Sequence, residues 1–370
     1  MGLNPYFTLK DEAFKIYCIF SFLFFISSKG GPFVSKMDVF LMKIDLMHSI
    51  DYYREEFLAY LNSKIETKEP KNLYAPITYI LGLGGKRLRP VLTLMSTEIF
   101  NGSYKDAFNA ALAVEVFHNF SLVHDDIMDA APLRRGKATV HEKWDINTGI
   151  LSGDAMLIKA YQLFENYPPH VFRSLAELFS ETALKVCEGQ QYDIDFESRE
   201  DVTIPEYLKM IEYKTAVLIA AALKMGAVVA NAPDGEKDAI YSFGLNLGLA
   251  FQLQDDYLDA FGNPETFGKQ VGGDIIENKK TFLYLKALER GSEKERKELI
   301  DLYSIEPKNP AEKINTIKEI FVRSGSSENT KKEILRYSEK AFQVLDFLSI
   351  SEQKKELLRS FGESLMMREV

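Results

Sequence analysis

VEVFHNFSLVHDDIMD, residues 114–129, decides the fold. Val114, Phe117, Ser121 and Val123 recur at helical spacing, and the stretch closes on Asp125, Asp126 and Asp129. A second stretch, FQLQDDYLD at 251–259, closes the same way on Asp255, Asp256 and Asp259, with Asp125 and Asp255 standing 130 residues apart. On an α-helix the first and fifth positions of such a motif lie one turn apart on one face. Two carboxylates about 6 Å apart on a rigid surface can hold a hard divalent cation. Two such faces predict one strongly anionic ligand, most simply a diphosphate, gripped from both sides through metal ions. The plainer reading makes each motif an acidic, solvated helix end. Its occurrence twice, in parallel contexts, favours the metal site.

Working outward, the helical texture holds from about Ser49 to the end. Tyr53, Phe57, Tyr60 and Leu61 repeat the same spacing, and an Ala-rich helix runs from Ala216 through Val228-Val229. Pro70, Asn101-Gly102, Pro132, Pro168-Pro169, Pro205 and Pro233-Asp234-Gly235 punctuate it. Convincing two-residue alternation is missing. The expectation is an all-α fold, a single large helical bundle with its most apolar helices central. With no low-complexity linker, residues 47–370 form one domain. Beyond about Glu289 the chain grows richer in Lys and Glu, which predicts peripheral helices at the bundle edge.

The 370 residues are 46% hydrophobic and 27% charged, the composition of a soluble globular protein. The net charge of −9 argues against nucleic acid as a partner. It does not exclude an anionic substrate, because a bound cation reverses the local field. Only Cys18 and Cys187 occur, so neither a disulfide framework nor a cysteine zinc site is expected, and a reducing, cytoplasmic setting fits.

Residues 1–46 stand apart. Ile16 to Ile26 is an apolar run too short for a stable membrane span, which takes about 20 residues. Asp11, Glu12 and Ser27-Ser28-Lys29-Gly30-Gly31 make a poor signal peptide. A weak anchor and a cleaved signal are two readings. The preferred one treats the segment as a non-catalytic extension, with Met37 or Met47 as the natural start.

Four cationic clusters accompany the aspartates. Gly84-Gly85-Lys86-Arg87-Leu88-Arg89-Pro90 lets backbone approach a ligand, then supplies three cations. Arg134-Arg135-Gly136-Lys137 follows the first motif and would clamp further phosphate oxygens. Tyr213-Lys214-Thr215 lies within a helix. The fourth cluster runs from Phe267-Gly268-Lys269 through Asp274 to Lys279-Lys280. His118, close to two turns before Asp125, shares its face, with Ser121 between them. Gln252 stands four residues before Asp256.

Assembled in this order, GGKRLRP, VHDDIMDAAPLRRG, Tyr-Lys-Thr, FQLQDDYLD and GGDIIENKK resemble the trans-isoprenyl diphosphate synthases, the polyprenyl synthetase family. The likeness runs from about Asn72 to Lys280. It implies an all-α bundle around a deep central cavity (the isoprenoid synthase fold), a homodimer and three Mg2+ ions. It further implies head-to-tail prenyl transfer from an allylic diphosphate to isopentenyl diphosphate. Carried over, Asp125 and Asp129 bind metal with Asp126 supporting, and Asp255 binds a third ion with Asp256 and Asp259 nearby. Lys86, Arg89, His118 and Arg135 would hold isopentenyl diphosphate. Arg134, Lys214, Lys269 and Lys279 would hold the allylic diphosphate. Thr215 and Gln252 would turn oxygen dipoles to the developing carbocation, and Gln190 and Asp193 match a supporting position.

Product length is expected from the helix before the first motif. Phe120 lies five residues before Asp125, about 7.5 Å along the axis. Phe120, the small Ser121 and the absence of an insertion look like the geranylgeranyl (C20) type, with farnesyl (C15) the rival. Phe117 would cap a deeper floor. A terpene cyclase or head-to-head coupling enzyme would not need Lys86, Arg89 and His118. A non-catalytic partner subunit would be expected to have lost one aspartate motif.

Overall fold

The structure, a computed structural model, describes residues 48–65, 68–263, 271–307 and 309–366. Residues 48–370 form one unit. The expectations for residues 1–46 and for Lys269 lie outside the described residues. Among those described, helices dominate and no helix is long and apolar enough to cross a membrane.

The chain enters through α1 (Ile50–Lys64), whose amino end is capped by Ser49 accepting from the Tyr52 N–H. α2 (Lys71–Gly82) leads to the Gly84-Gly85 turn, and α3 (Leu88–Ile99) follows. α4 (Phe108–Met128) is buried over most of its surface and carries the first motif at its carboxyl end. A hairpin, β1 (Leu133–Arg134) with β2 (Lys137–Ala138), then turns through Arg135 and Gly136. Both turn residues have positive φ, the geometry that suits tight hairpins. These strands depart from the helix-only expectation. Two residues each are too few to register as alternation.

Short α5 (Val140–Lys143), α6 (Ile146–Gln162) and the long α7 (Pro169–Ser198) follow. α8 (Ile204–Ile211) starts at a Thr203/Glu206 capping box. α9 (Val217–Val229) is apolar except for Lys224 and buried on nearly every side, as a central helix must be. It packs along α3, where the Ser96 hydroxyl donates to the Leu223 carbonyl at 2.7 Å. On its other side lies α10 (Asp234–Phe261), which carries the second motif in its last turns.

The one-turn α11 (Gly273–Ile276) precedes α12 (Phe282–Arg290), α13 (Glu293–Tyr303) and α14 (Ala311–Arg323). α15 (Ser326–Phe347) and α16 (Glu352–Met366) end the described chain. The expectation of edge helices holds for α13, where only Leu299 is buried, but fails for α15. That helix packs along α10 and buries Ser326, Ser327, Thr330, Ser338, Ala341 and Leu345. Small side chains let two helices approach without a long apolar stripe, so its sequence reads as surface.

Candidate active site

Both motifs end their helices where the macrodipole is negative and carboxylates are least welcome. The Asp129 N–H donates to the Asp125 carbonyl at 2.9 Å, which keeps the two side chains one turn apart on one face. Asp125 is half-buried and Asp129 exposed. Burial pushes the Asp125 carboxyl up to about 6; Asp129 and Asp126 add to the rise, and Lys214 and Arg134 oppose it.

The second aspartate of each motif is held by protein. Asp126 is buried and receives three hydrogen bonds from Arg134, at 2.7 to 2.9 Å. Asp256 is buried and accepts from the Tyr207 hydroxyl and, at 2.9 Å, from Gln252 Nε2. Asp259 is buried too and accepts the Asp274 N–H at 3.0 Å. Asp255 is half-buried. Its neighbour Asp274 is pushed up to about 7, first by burial and then by the Asp259 carboxylate, against the pull of Lys279.

A cavity of about 240 Å3 opens beside the second motif. Asp193, Tyr207, Lys214, Thr215, Gln252, Asp256, Asp274, Lys279 and Lys280 line it, with Phe196, Met210 and Ile211 supplying apolar wall. Asp193 of α7 brings two cations together, Lys214 Nζ at 2.5 Å and Lys279 Nζ at 3.4 Å. Burial works to raise the Asp193 carboxyl, but the two lysines outweigh it and hold it below its usual range. Lys214 also acts on Asp125 and Lys279 on Asp129, both of the first motif, and the same two lysines line the cavity with Asp256 of the second. Lys280 instead caps the carboxyl end of α7, donating to the Phe196 and Glu197 carbonyls at 2.7 and 3.1 Å.

Lys214 and Thr215 sit on a π-helical turn, Glu212–Ala216, between α8 and α9. The Val217 N–H reaches five residues back to the Glu212 carbonyl. The widened turn fits because glycines face it from both sides. A methyl group on Gly189 would come 2.2 Å from Lys214 N, and one on Gly248 would come 2.7 Å from Ala216 Cα. The Thr215 hydroxyl donates to Gln252 Oε1 at 3.1 Å, which joins the turn to Asp256 through Gln252.

A second cationic group forms where the Gly84-Gly85 turn meets α4 and the hairpin. Arg89 Nη1 lies 3.2 Å from His118 Nε2, and Arg135 donates to the Gly84 carbonyl. The Arg135 guanidinium lies so close over Gly85 that a Cβ there would come within 2.8 Å of it. Lys86, in the same turn, is exposed. Burial, then Arg89, Arg135, Arg134 and Arg87, hold His118 well below 6.5, so it is neutral.

The residues expected to set product length form a separate aromatic cluster. Phe120 packs on His124 and Phe117 at 4.7 and 5.5 Å between centroids, and Phe117 meets Phe179 at 5.1 Å. Ser121 donates to the His118 carbonyl at 2.9 Å. None of Phe117, Phe120 and Ser121 lines the cavity beside Asp256. Tyr207, the partner of Asp256, carries no signal in the sequence, because 49 residues separate the pair.

Among the described residues no group of three His, Cys, Asp or Glu side chains forms a cage for a metal ion. The donor set is instead pairs of carboxylates at helix ends that disfavour negative charge, with Asp125 pushed toward its neutral form. A divalent cation fits such a set when a ligand completes its shell.

The polyprenyl synthetase family model matches residues 70–321, a span that contains every one of these groups. The chain belongs to that family. It is a prenyltransferase of the isoprenyl diphosphate synthase type, and the fold is the all-α one expected. Over 328 residues it is 38% identical to the short chain isoprenyl diphosphate synthase of Methanothermobacter thermautotrophicus, covering 88% of this chain and 99% of that one. It is 34% identical to the geranylgeranyl diphosphate synthase of Methanosarcina mazei, covering 89% and 100%. A crystal structure of a geranylgeranyl pyrophosphate synthase superposes with a TM-score of 0.85 at 55% identity, covering 88% of this chain and all of the other.

Proposed function

We propose that this family member condenses isopentenyl diphosphate with an allylic diphosphate, using Mg2+, to give a C20 product. The observation that carries the reading is the convergence of Lys214, Lys279 and both aspartate faces around Asp193. In this account Asp125, Asp129 and Asp255 would hold three Mg2+ ions, with Asp126 supporting and Asp256 and Asp259 nearby. Mg2+, when bound, neutralises the allylic diphosphate so that it can leave.

Lys214 and Lys279 exchange Asp193 for diphosphate oxygens and steady the charge that develops as the carbon–oxygen bond breaks. Lys269 and Arg134 add to that hold. Thr215 and Gln252, fixed by their mutual hydrogen bond, turn oxygen toward the cationic carbon. Lys86, Arg89, Arg135 and neutral His118 hold isopentenyl diphosphate, whose double bond attacks that carbon; the cation so formed loses a proton, which the released diphosphate takes up. Phe196, Met210 and Ile211 exclude water that would quench the cation.

The C20 assignment is supported by the geranylgeranyl names among the similar proteins and by Phe120 and Ser121 before the first motif. Residues 1–46 take no part in this scheme. We further read the protein as a cytoplasmic homodimer. Exposed aliphatic side chains on α6, Ile146, Ile150, Leu151 and Ile158, support the dimer. Incubation with Mg2+, isopentenyl diphosphate and dimethylallyl, geranyl or farnesyl diphosphate, followed by dephosphorylation and sizing, tests the product. A single C20 alcohol is expected; a C15 or C25 alcohol would overturn the length.

A further inference from the structure

Beneath the Lys86–Arg89–His118–Arg135 group lies an ion pair that the scheme above does not use. Arg87 occupies the residue before α3 in the left-handed region, at φ 50 and ψ 38, a conformation that costs a non-glycine side chain. Its guanidinium is buried. There it donates to the Glu115 carboxylate of α4 and to the Leu81 carbonyl at the end of α2. The side chains are 2% and 3% exposed. Asn119 Nδ2 donates to the same Glu115 oxygen at 2.9 Å, one turn further along α4.

Three elements therefore meet at one buried fork. α2 ends on it, the Gly84–Arg87 turn is anchored by it, and α4 supplies its anion three residues before His118. Glu115 also offsets the charge of Arg89 and Arg135 above it, whose guanidinium groups burial disfavours. A planar Arg fork reaches a carboxylate and a carbonyl together; a lysine ammonium offers no such fork.

We infer that Arg87 and Glu115 are positioning residues for the isopentenyl diphosphate group, fixing the Gly84–Arg89 turn against α4 so that Lys86, Arg89 and His118 converge. The inference rests on the assignment of those residues to isopentenyl diphosphate. The pair touches no substrate itself.

The test is a split of kinetic constants. Arg87→Lys is expected to raise KM for isopentenyl diphosphate about tenfold, with kcat and the KM of the allylic substrate within about twofold of wild type. Removing one partner alone leaves a buried charge uncompensated and can prevent folding. The double variant Arg87→Met/Glu115→Leu removes both charges together and is expected to fold, with the same selective rise. An unchanged KM for isopentenyl diphosphate in the folded double variant overturns the inference and reduces the pair to core filling. Lys86→Ala separates the two claims. If it too leaves that KM unchanged, the assignment of the group has failed. If it raises KM while the double variant does not, only the positioning role has failed.

Discussion

Lys214 lies 2.5 Å from Asp193, on a π-helical turn that Gly189 of the same α7 helix admits. One helix thus supplies both the carboxylate that holds the lysine and the space that lets its turn widen. In the proposed reaction a diphosphate would replace that protein anion. Lys214→Met is expected to lower kcat about 100-fold, the scale seen when one donor to a developing anion is lost. Asp193→Asn should cost about tenfold, because the lysines stay but lose their anchor. Steady-state rates at saturating substrates check both.

The aspartates of each motif divide by their partners. Asp126, bound by Arg134, keeps the hairpin on α4, whereas Asp125 carries no such guanidinium clamp. Asp125→Asn is expected to raise the Mg2+ concentration for half-maximal activity at least about tenfold. Asp126→Asn should chiefly lower the thermal midpoint, by a few degrees, with a smaller change in Mg2+ requirement. Metal titration and thermal melts of both variants separate the two roles.

His118 gives the ligand-free protein a stability term with a definite sign. Its folded pKa is depressed by burial and by Arg89, Arg135, Arg134 and Arg87, so below about 6.5 the unfolded chain binds a proton that the folded one refuses. Stability therefore falls as pH drops through and below that value, by up to about 1.4 kcal/mol per unit from this group. His118→Gln should flatten the slope of denaturation free energy between pH 6.5 and 5. An unchanged slope would assign the loss to other groups.

The exposed aliphatic side chains of α6 test the proposed dimer. Leu151 and Ile158 are 60% and 59% exposed, among further aliphatic side chains on α6. Leu151→Glu/Ile158→Glu is expected to convert a dimer of 42.2 kDa chains into monomers in sedimentation equilibrium. A wild-type monomer would remove the dimer from the account.

Phe120 tests the length assignment. Its ring plugs the aromatic cluster with Phe117 and His124, and Phe120→Ala is expected to shift product from C20 toward longer alcohols. An unchanged product spectrum would place the floor elsewhere.

Much of the site is legible in the chain because its parts are local. Asp125 and Asp129 share a face by helical period alone, and His118 follows two turns away. Gly84-Gly85 and the cations behind it announce their turn. What is not legible depends on pairs far apart in sequence. Asp193 meets Lys279 across 86 residues, and Tyr207 meets Asp256 across 49. The π turn is also silent, since its room comes from Gly189 and Gly248 on other helices rather than from Tyr213-Lys214-Thr215. α15 misleads for a related reason: Ser, Thr and Ala allow close packing while reading as polar surface. Arg87 looks like one more cation for a ligand, and only the fold turns it inward to Glu115.

The central claim is that both aspartate faces act on one substrate. The most direct test compares wild type, Asp125→Ala and Asp255→Ala in Mg2+-dependent elongation with isopentenyl diphosphate and each allylic starter, alongside circular dichroism to verify folding. The account requires that wild type elongate, that EDTA abolish the reaction, and that each folded variant fall at least about 100-fold. Wild-type elongation by either folded variant would contradict it.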